Sequence, residues 1–174
     1  ATIENGLLDL AAKRRGAPLH ALLGFPAKRI PSGISVGLQE SKEALVAAVE
    51  EAAAKSYHRI KMKVKRGQDV EWVAAVRERF PDYPLMVDAN GDYTLDDLPR
   101  LKQLDAFNLM MIEQPLSHSD IYLHSFLQRE LKTAVCLDES IRGLAEAAAA
   151  DAPPHDTRST WIYLPTCTGL RPTN

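Results

Sequence analysis

Short apolar runs alternate along the chain with longer stretches in which apolar residues return every three or four positions, a pattern that predicts strand and helix in turn. Strands are predicted over residues 34–38, 59–64, 85–88, 109–113 and 134–138. Helices are predicted between and after them. The first covers 42–55, where Leu45, Val46, Val49 and Ala53 form one apolar stripe. The next covers 70–80, and a third begins at Asp96 or Asp97 with Pro99 in its first turn. The last two cover 121–129 and 144–150. Five strand–helix units in a row imply a parallel sheet with helices packed on it. Ahead of them, Ile3, Leu7, Leu8 and Ala11 share one helical face, and Gly16 stands where a C-cap is wanted.

Lys63, Asp88, Glu113 and Asp138 follow one another at intervals of 25 residues, each at the C-terminal end of an apolar run. An interval of about 25–30 residues is what one strand, one helix and two loops occupy in a (β/α) barrel. In that architecture the strand ends converge on one rim. A complete barrel needs about 250 residues, and 174 leave room for part of one, so the expected fold is α/β, a partial TIM-type barrel and a fragment of something longer.

Residues 59–64 alternate in an unusual sense: Ile60, Met62 and Val64 share one face, and Arg59, Lys61 and Lys63 share the other. A barrel explains this, because helices cover the outer face while the inner face can be a polar site. Two neighbouring ammonium groups would each disfavour the other's charge and lower its pKa, which suits a lysine base. The same run also reads as a solvent-facing edge strand. Asp88-Ala89-Asn90-Gly91 likewise reads as a plain turn, Glu113-Gln114-Pro115 as a strand running into a loop, and Asp138-Glu139-Ser140 as a helix cap. What these separate readings leave unexplained is three acids at one interval with matching strand parity. Read together, they form a site for a hard divalent cation with a base beside it. Oxygen donors suit Mg²⁺, with Mn²⁺ as a substitute, whereas zinc would want His or Cys. His118 and His124 follow the fourth strand and read as solvated loop or rim residues. Cys136 shares parity with Asp138 and reads as packing.

A net charge of −2 with no basic stripe argues against nucleic acid as a partner. No apolar run approaches the roughly 18 residues of a membrane span, so no membrane partner is expected. The two cysteines, Cys136 and Cys167, have no metal or redox spacing, and the default location is the cytoplasm.

The segments Lys61-Met62-Lys63, Val87-Asp88-Ala89-Asn90, Ile112-Glu113-Gln114-Pro115 and Leu137-Asp138-Glu139-Ser140 resemble the successive strand-end motifs of the enolase superfamily, muconate lactonizing enzyme subgroup. Residues 111–141 are most similar to the o-succinylbenzoate synthase and N-acylamino acid racemase branch. The resemblance implies Lys63 as the base, Lys61 as its electrostatic partner and Asp88, Glu113 and Asp138 as Mg²⁺ ligands. It implies supporting roles for Asn90, Gln114 and Glu139, a small carboxylate as substrate and homo-oligomeric full-length relatives. Residues 1–30 would be linker helices from a largely missing capping domain, 31–150 barrel strands one to five, and 151–174 a tail unlike the family. The implied chemistry is removal of a proton alpha to a carboxylate with stabilisation of the resulting enediolate. Dehydration to o-succinylbenzoate, in menaquinone biosynthesis, is the first expectation.

The resemblance also places a second lysine near position 162, but the last lysine here is Lys132. Racemisation needs a base on each side of the carbon. Elimination of water can be run by one lysine acting first as base and then as acid. Dehydration is therefore the less damaged activity, and its rate is expected to be impaired. A metal-binding remnant without turnover is the reading from another class. A frameshift or premature end near residue 150 would account for the tail.

Overall fold

The computed structural model describes residues 2–29 and 31–151. The tail expectations, including the missing lysine near 162 and Cys167, lie outside the described residues. Two compact units divide the chain at Ile30. The first holds α1 (Thr2–Arg14), ending in Lys13 and Arg14 and a left-handed Gly16, and the short α2 (Leu19–Leu22).

The second unit runs β1 (Gly33–Val36), α3 (Lys42–Ala54), β2 (Arg59–Lys63), α4 (Val70–Arg79), β3 (Leu85–Asp88), α5 (Leu98–Leu104), β4 (Ile112–Glu113), α6 (Ile121–Glu130), β5 (Val135–Cys136) and α7 (Leu144–Asp151). The strands form one parallel sheet in the order β1-β2-β3-β4-β5. This is the strand order of a partial (β/α) barrel. Among the described residues, no helix is long and apolar enough to cross a membrane.

Helix starts follow the polar residue in front of each apolar stripe. The Ser41 hydroxyl accepts from Ala44 N at 3.1 Å, and the Asp120 carboxylate accepts from Leu123 N at 2.9 Å. Thr94 N donates to Asp97 at 2.8 Å ahead of α5, and Pro99 occupies the first turn, where its missing N–H costs nothing. The helix-facing strand residues Ile60, Met62, Leu85, Val87, Ile112 and Val135 are all fully buried. They pack in one cluster with Leu45 and Val49 of α3, Val73 and Val76 of α4, Leu101 and Leu104 of α5, and Leu127 of α6. Each such side chain contributes about 1.5–3 kcal/mol on burial. This apolar layer fixes strand parity, since a one-residue slip would turn it outward.

β1 stops at Val36 and β2 at Lys63, short of residues 38 and 64, and β4 and β5 shrink furthest, to two residues each. In β4 the chain pairs with β3 from Met110 onward, but Gln114 turns away at φ +41°. The last rung to β5 is Gln114 N to Cys136 O at 2.7 Å. Beyond it the Asp138 N–H goes to the Gln114 side chain instead of a neighbouring strand, so β5 stops at Cys136 rather than at residue 138.

Candidate active site at the rim of the sheet

Register brings the strand-end residues side by side. Lys63 pairs with Asp88 and Asp88 with Glu113, so these three side chains leave the same face at the same height. Lys61 Nζ lies 2.6 Å from Glu113 Oε1 and 3.0 Å from Asp88 Oδ2. Lys63 Nζ is 3.6 Å from Asp88 Oδ2 and donates to Asn90 Oδ1. Asn90 sits at φ +45°, where its N–H meets Asp88 Oδ1 at 3.2 Å and its amide donates to Glu139 Oε1 at 2.8 Å. Six of the eight residues singled out in the sequence thus form one bonded group.

Asp138 stands apart from that group by a register step. Glu113 pairs with Cys136, so the 25-residue interval fails by two positions between β4 and β5, and Asp138 lies beyond its expected partner and is exposed. Its charge still reaches Glu113 and Cys136. Among the described residues, no three His, Cys, Asp or Glu side chains stand together at metal-holding distance.

The charge balance reverses one expectation. Burial would lower the pKa of Lys61, but the hydrogen bonds and charges of Glu113 and Asp88 outweigh it and hold Lys61 above the ordinary lysine value. Acids facing the ammonium, rather than a second ammonium, dominate its surroundings. Glu113 is held above the usual carboxylate range by burial, with Asp88 and Asp138 adding to the effect and Lys61 opposing it. The donor chemistry fits a hard cation. Asp88 and Glu113 stand side by side at the rim, and the neighbouring Cys136 thiol is pushed up to about 12 by burial, with Glu113 and Asp138 adding to the effect, far from the thiolate a soft metal would need.

Gln114 is the hub behind the rim. Its side-chain oxygen accepts from Asp138 N at 2.9 Å and Ser140 N at 3.2 Å, and its amide nitrogen donates to Leu116 O at 3.0 Å and Ser140 Oγ at 2.8 Å. His124, read from the sequence as a solvated or rim residue, is instead fully buried on α6 against this hub. His118 is exposed. A sequence signal for His124 existed: it lies four residues after the Asp120 cap and three before the buried Leu127, on the packed face of the helix.

Burial depresses the His124 pKa below the ordinary histidine value, against opposing contacts from Asp120 and Leu116. A group neutral in the fold and chargeable in the unfolded chain leaves stability intact above the unfolded value of about 6.5 and lost as pH falls below it. Unfolding free energy should therefore drop from pH 6.5 downward, and His124→Gln should flatten that slope. Urea titrations at stepped pH read both, and equal slopes in the two chains would remove His124 as the source.

A second buried group was missed altogether. Asp69 caps α4 and accepts from Val70 N at 2.6 Å, from Tyr93 Oη at 2.6 Å and from Arg100 Nε at 2.7 and 2.8 Å. Burial would raise its pKa, but Arg100 and Tyr93 hold it below the usual range. The residue joins the loops after β2 and β3, the first following Lys63 and the second carrying Asn90. Arg66 ties the same loops from the rim side, its N–H on Asp92 Oδ2 at 2.7 Å and its guanidinium on Asp97 at 2.7 Å.

A parallel sheet with helices packed on it and lysines and acids gathered at the C-terminal ends of its strands is the arrangement of a partial (β/α) barrel. The chain belongs to the enolase C-terminal domain-like family, whose model matches residues 44–152. It is 49% identical over 150 residues to an o-succinylbenzoate synthase of Enterococcus faecalis, covering 86% of this chain and 41% of that protein. It is 45% identical to an N-succinylamino acid racemase of Thermus thermophilus, covering 86% and 41%. Among solved structures, it resembles a dipeptide epimerase from Methylococcus capsulatus complexed with Mg ion, at 27% identity and a TM-score of 0.71, covering 84% and 43%. The chain therefore spans about two-fifths of the length of the curated relatives it matches.

Proposed function

We propose that this chain carries the base and the ligand acids of a Mg²⁺-dependent site that removes a proton alpha to a carboxylate, with dehydration to o-succinylbenzoate, a step of menaquinone biosynthesis in the cytoplasm, as its reaction. The observation that carries the reading is the single bonded group of Lys61, Lys63, Asp88 and Glu113 on adjacent strand ends. The identity to an o-succinylbenzoate synthase supports the choice of reaction.

Asp88, Glu113 and Asp138 would hold the cation, with Mn²⁺ able to replace Mg²⁺. Bound there, it would supply the fixed positive charge that a developing enediolate requires. Lys63 takes the alpha proton. In the elimination, the C–H and C–O bonds break, the double bond forms, and Lys63 returns its proton to the departing hydroxyl, which leaves as water. Lys61 stays protonated between Asp88 and Glu113 and contributes charge rather than a proton, in line with its raised pKa. Asn90 holds Lys63 from the side through its carbonyl oxygen and is itself steadied by Glu139.

Racemisation of an N-acylamino acid is the second reading, favoured by the racemase relative. It needs a base on the opposite side of the carbon, and among the described residues both rim lysines stand on β2. That arrangement supports elimination.

Thermal unfolding with and without millimolar Mg²⁺ tests the cation site. At a concentration 100 times the dissociation constant, a ligand bound only to the fold stabilises it by about 2.7 kcal/mol. The transition of the parent chain should rise, and that of Asp138→Asn should not. A parent transition unmoved by Mg²⁺ overturns the cation site, and with it both the proposed reaction and the metal-binding remnant.

A further inference from the structure

We infer that His124 is a positioning residue for the rim: it sets which way the Gln114 carboxamide faces and so holds the turn carrying Asp138 and Glu139 against the end of β4. The chain of contacts starts at a backbone carbonyl. His124 Nδ1 lies 2.6 Å from Asp120 O, which only accepts, so Nδ1 carries the proton. Nε2 is then the acceptor, and Leu116 N–H donates to it at 3.1 Å.

That acceptor faces the Gln114 carboxamide at 3.4 Å. An amide oxygen turned toward it would set two acceptors against each other, whereas the NH₂ is attracted. The Leu116 peptide makes the same choice a second time, since its carbonyl meets the Gln114 NH₂ at 3.0 Å. His124 fixes that peptide too, by taking its N–H, and Gly91 of the β3 loop leaves room for its oxygen: a Cβ there would lie 3.2 Å from Leu116 O. With NH₂ on the histidine side, the carboxamide oxygen points at the N–H groups of Asp138 and Ser140. The reverse orientation would put NH₂ against two backbone donors. Gln114 is itself fully buried at φ +41°, a strained conformation that persists only where surroundings impose it. One ring tautomer on α6 thereby orders the acid-bearing turn after β5. What Asp138 is for rests on the proposed function, but the placement does not.

Nitrogen NMR of the intact chain reads the tautomer directly, with the proton expected on Nδ1 and Nε2 bare at neutral pH. Amide hydrogen exchange reads the consequence. In His124→Phe, exchange at Asp138 and Ser140 should quicken about tenfold, the size of one lost hydrogen bond, while Val73 and Val76 in α4 keep their protection. His124→Gln, whose carbonyl oxygen can accept where Nε2 did, should restore it. A proton on Nε2, unchanged exchange at both amides, or acceleration spread evenly over the chain overturns the inference. If His124→Phe does not fold, the tautomer and the glutamine variant still decide. Selective exchange in a chain that takes no Mg²⁺ would keep this inference and sink the proposed function. Mg²⁺ binding without selective exchange would do the reverse.

Discussion

Lys63→Ala should lower the dehydration rate of a cyclohexadiene carboxylate substrate by roughly 10²–10⁴-fold, the range that a positioned general base supplies. Its effect on folding should be small. Lys63 is 36% exposed at the rim and its contact with Asp88 is 3.6 Å long, the kind of ion pair that contributes well under 1 kcal/mol. A large loss of kcat with an unmoved unfolding transition therefore identifies a chemical role. Lys63→Arg should lose the rate as well, because a guanidinium keeps its proton at every working pH. Steady-state kinetics on both variants, with Mg²⁺ present, read the result. Turnover that survives both substitutions would take Lys63 out of the reaction.

Asp69→Ala should cost about 3–5 kcal/mol of stability, the usual penalty for stripping one partner from a buried ion pair. Total stabilities of 5–15 kcal/mol make that a large share. The carboxylate is fully buried and serves Val70 N–H, Tyr93 and Arg100 together. Removing it leaves the Tyr93 hydroxyl, already hard to ionise through burial and Asp69, without its acceptor. Because the folded pKa of Asp69 lies below its unfolded value of about 3.9, its contribution is present above that pH and fades as pH falls through the folded value. Urea unfolding at neutral pH measures the loss. A change under 1 kcal/mol would mean that water reaches the cluster when the aspartate is gone.

The strand–helix rhythm was legible because an apolar layer must repeat with the elements that bury it. Residues 42–54, 70–79 and 121–130 became helices within a residue or two of the apolar stripes. Strand ends were less legible. Apolar runs at 109–113 and 134–138 mark burial, while the end of pairing was decided by the backbone turn and the side-chain amide of Gln114. At the rim, parity placed Lys61 and Lys63 on one face with Asp88 and Glu113, but counting residues could not show the step that moves Asp138. The lysine pKa failed for a related reason: neighbours along a strand are visible in the sequence, and neighbours across the sheet are not. Asp69 shows the limit clearly. A cap before an apolar helix can be read locally, but Tyr93 and Arg100, 24 and 31 residues away, meet it only in the fold.

The two-residue step between β4 and β5 carries a constraint on what this sheet can tolerate. Closing a curved sheet requires neighbouring strands to slide past one another. A slide by an odd number of residues would swing the carboxylate after Cys136 into the apolar layer beneath the helices, where an unpaired charge is prohibitively costly. Only even slides bend the sheet and keep its acids on the reacting side. Curvature and chemistry are thus coupled through one integer. A single residue inserted within β5 would convert a rim acid into a buried defect.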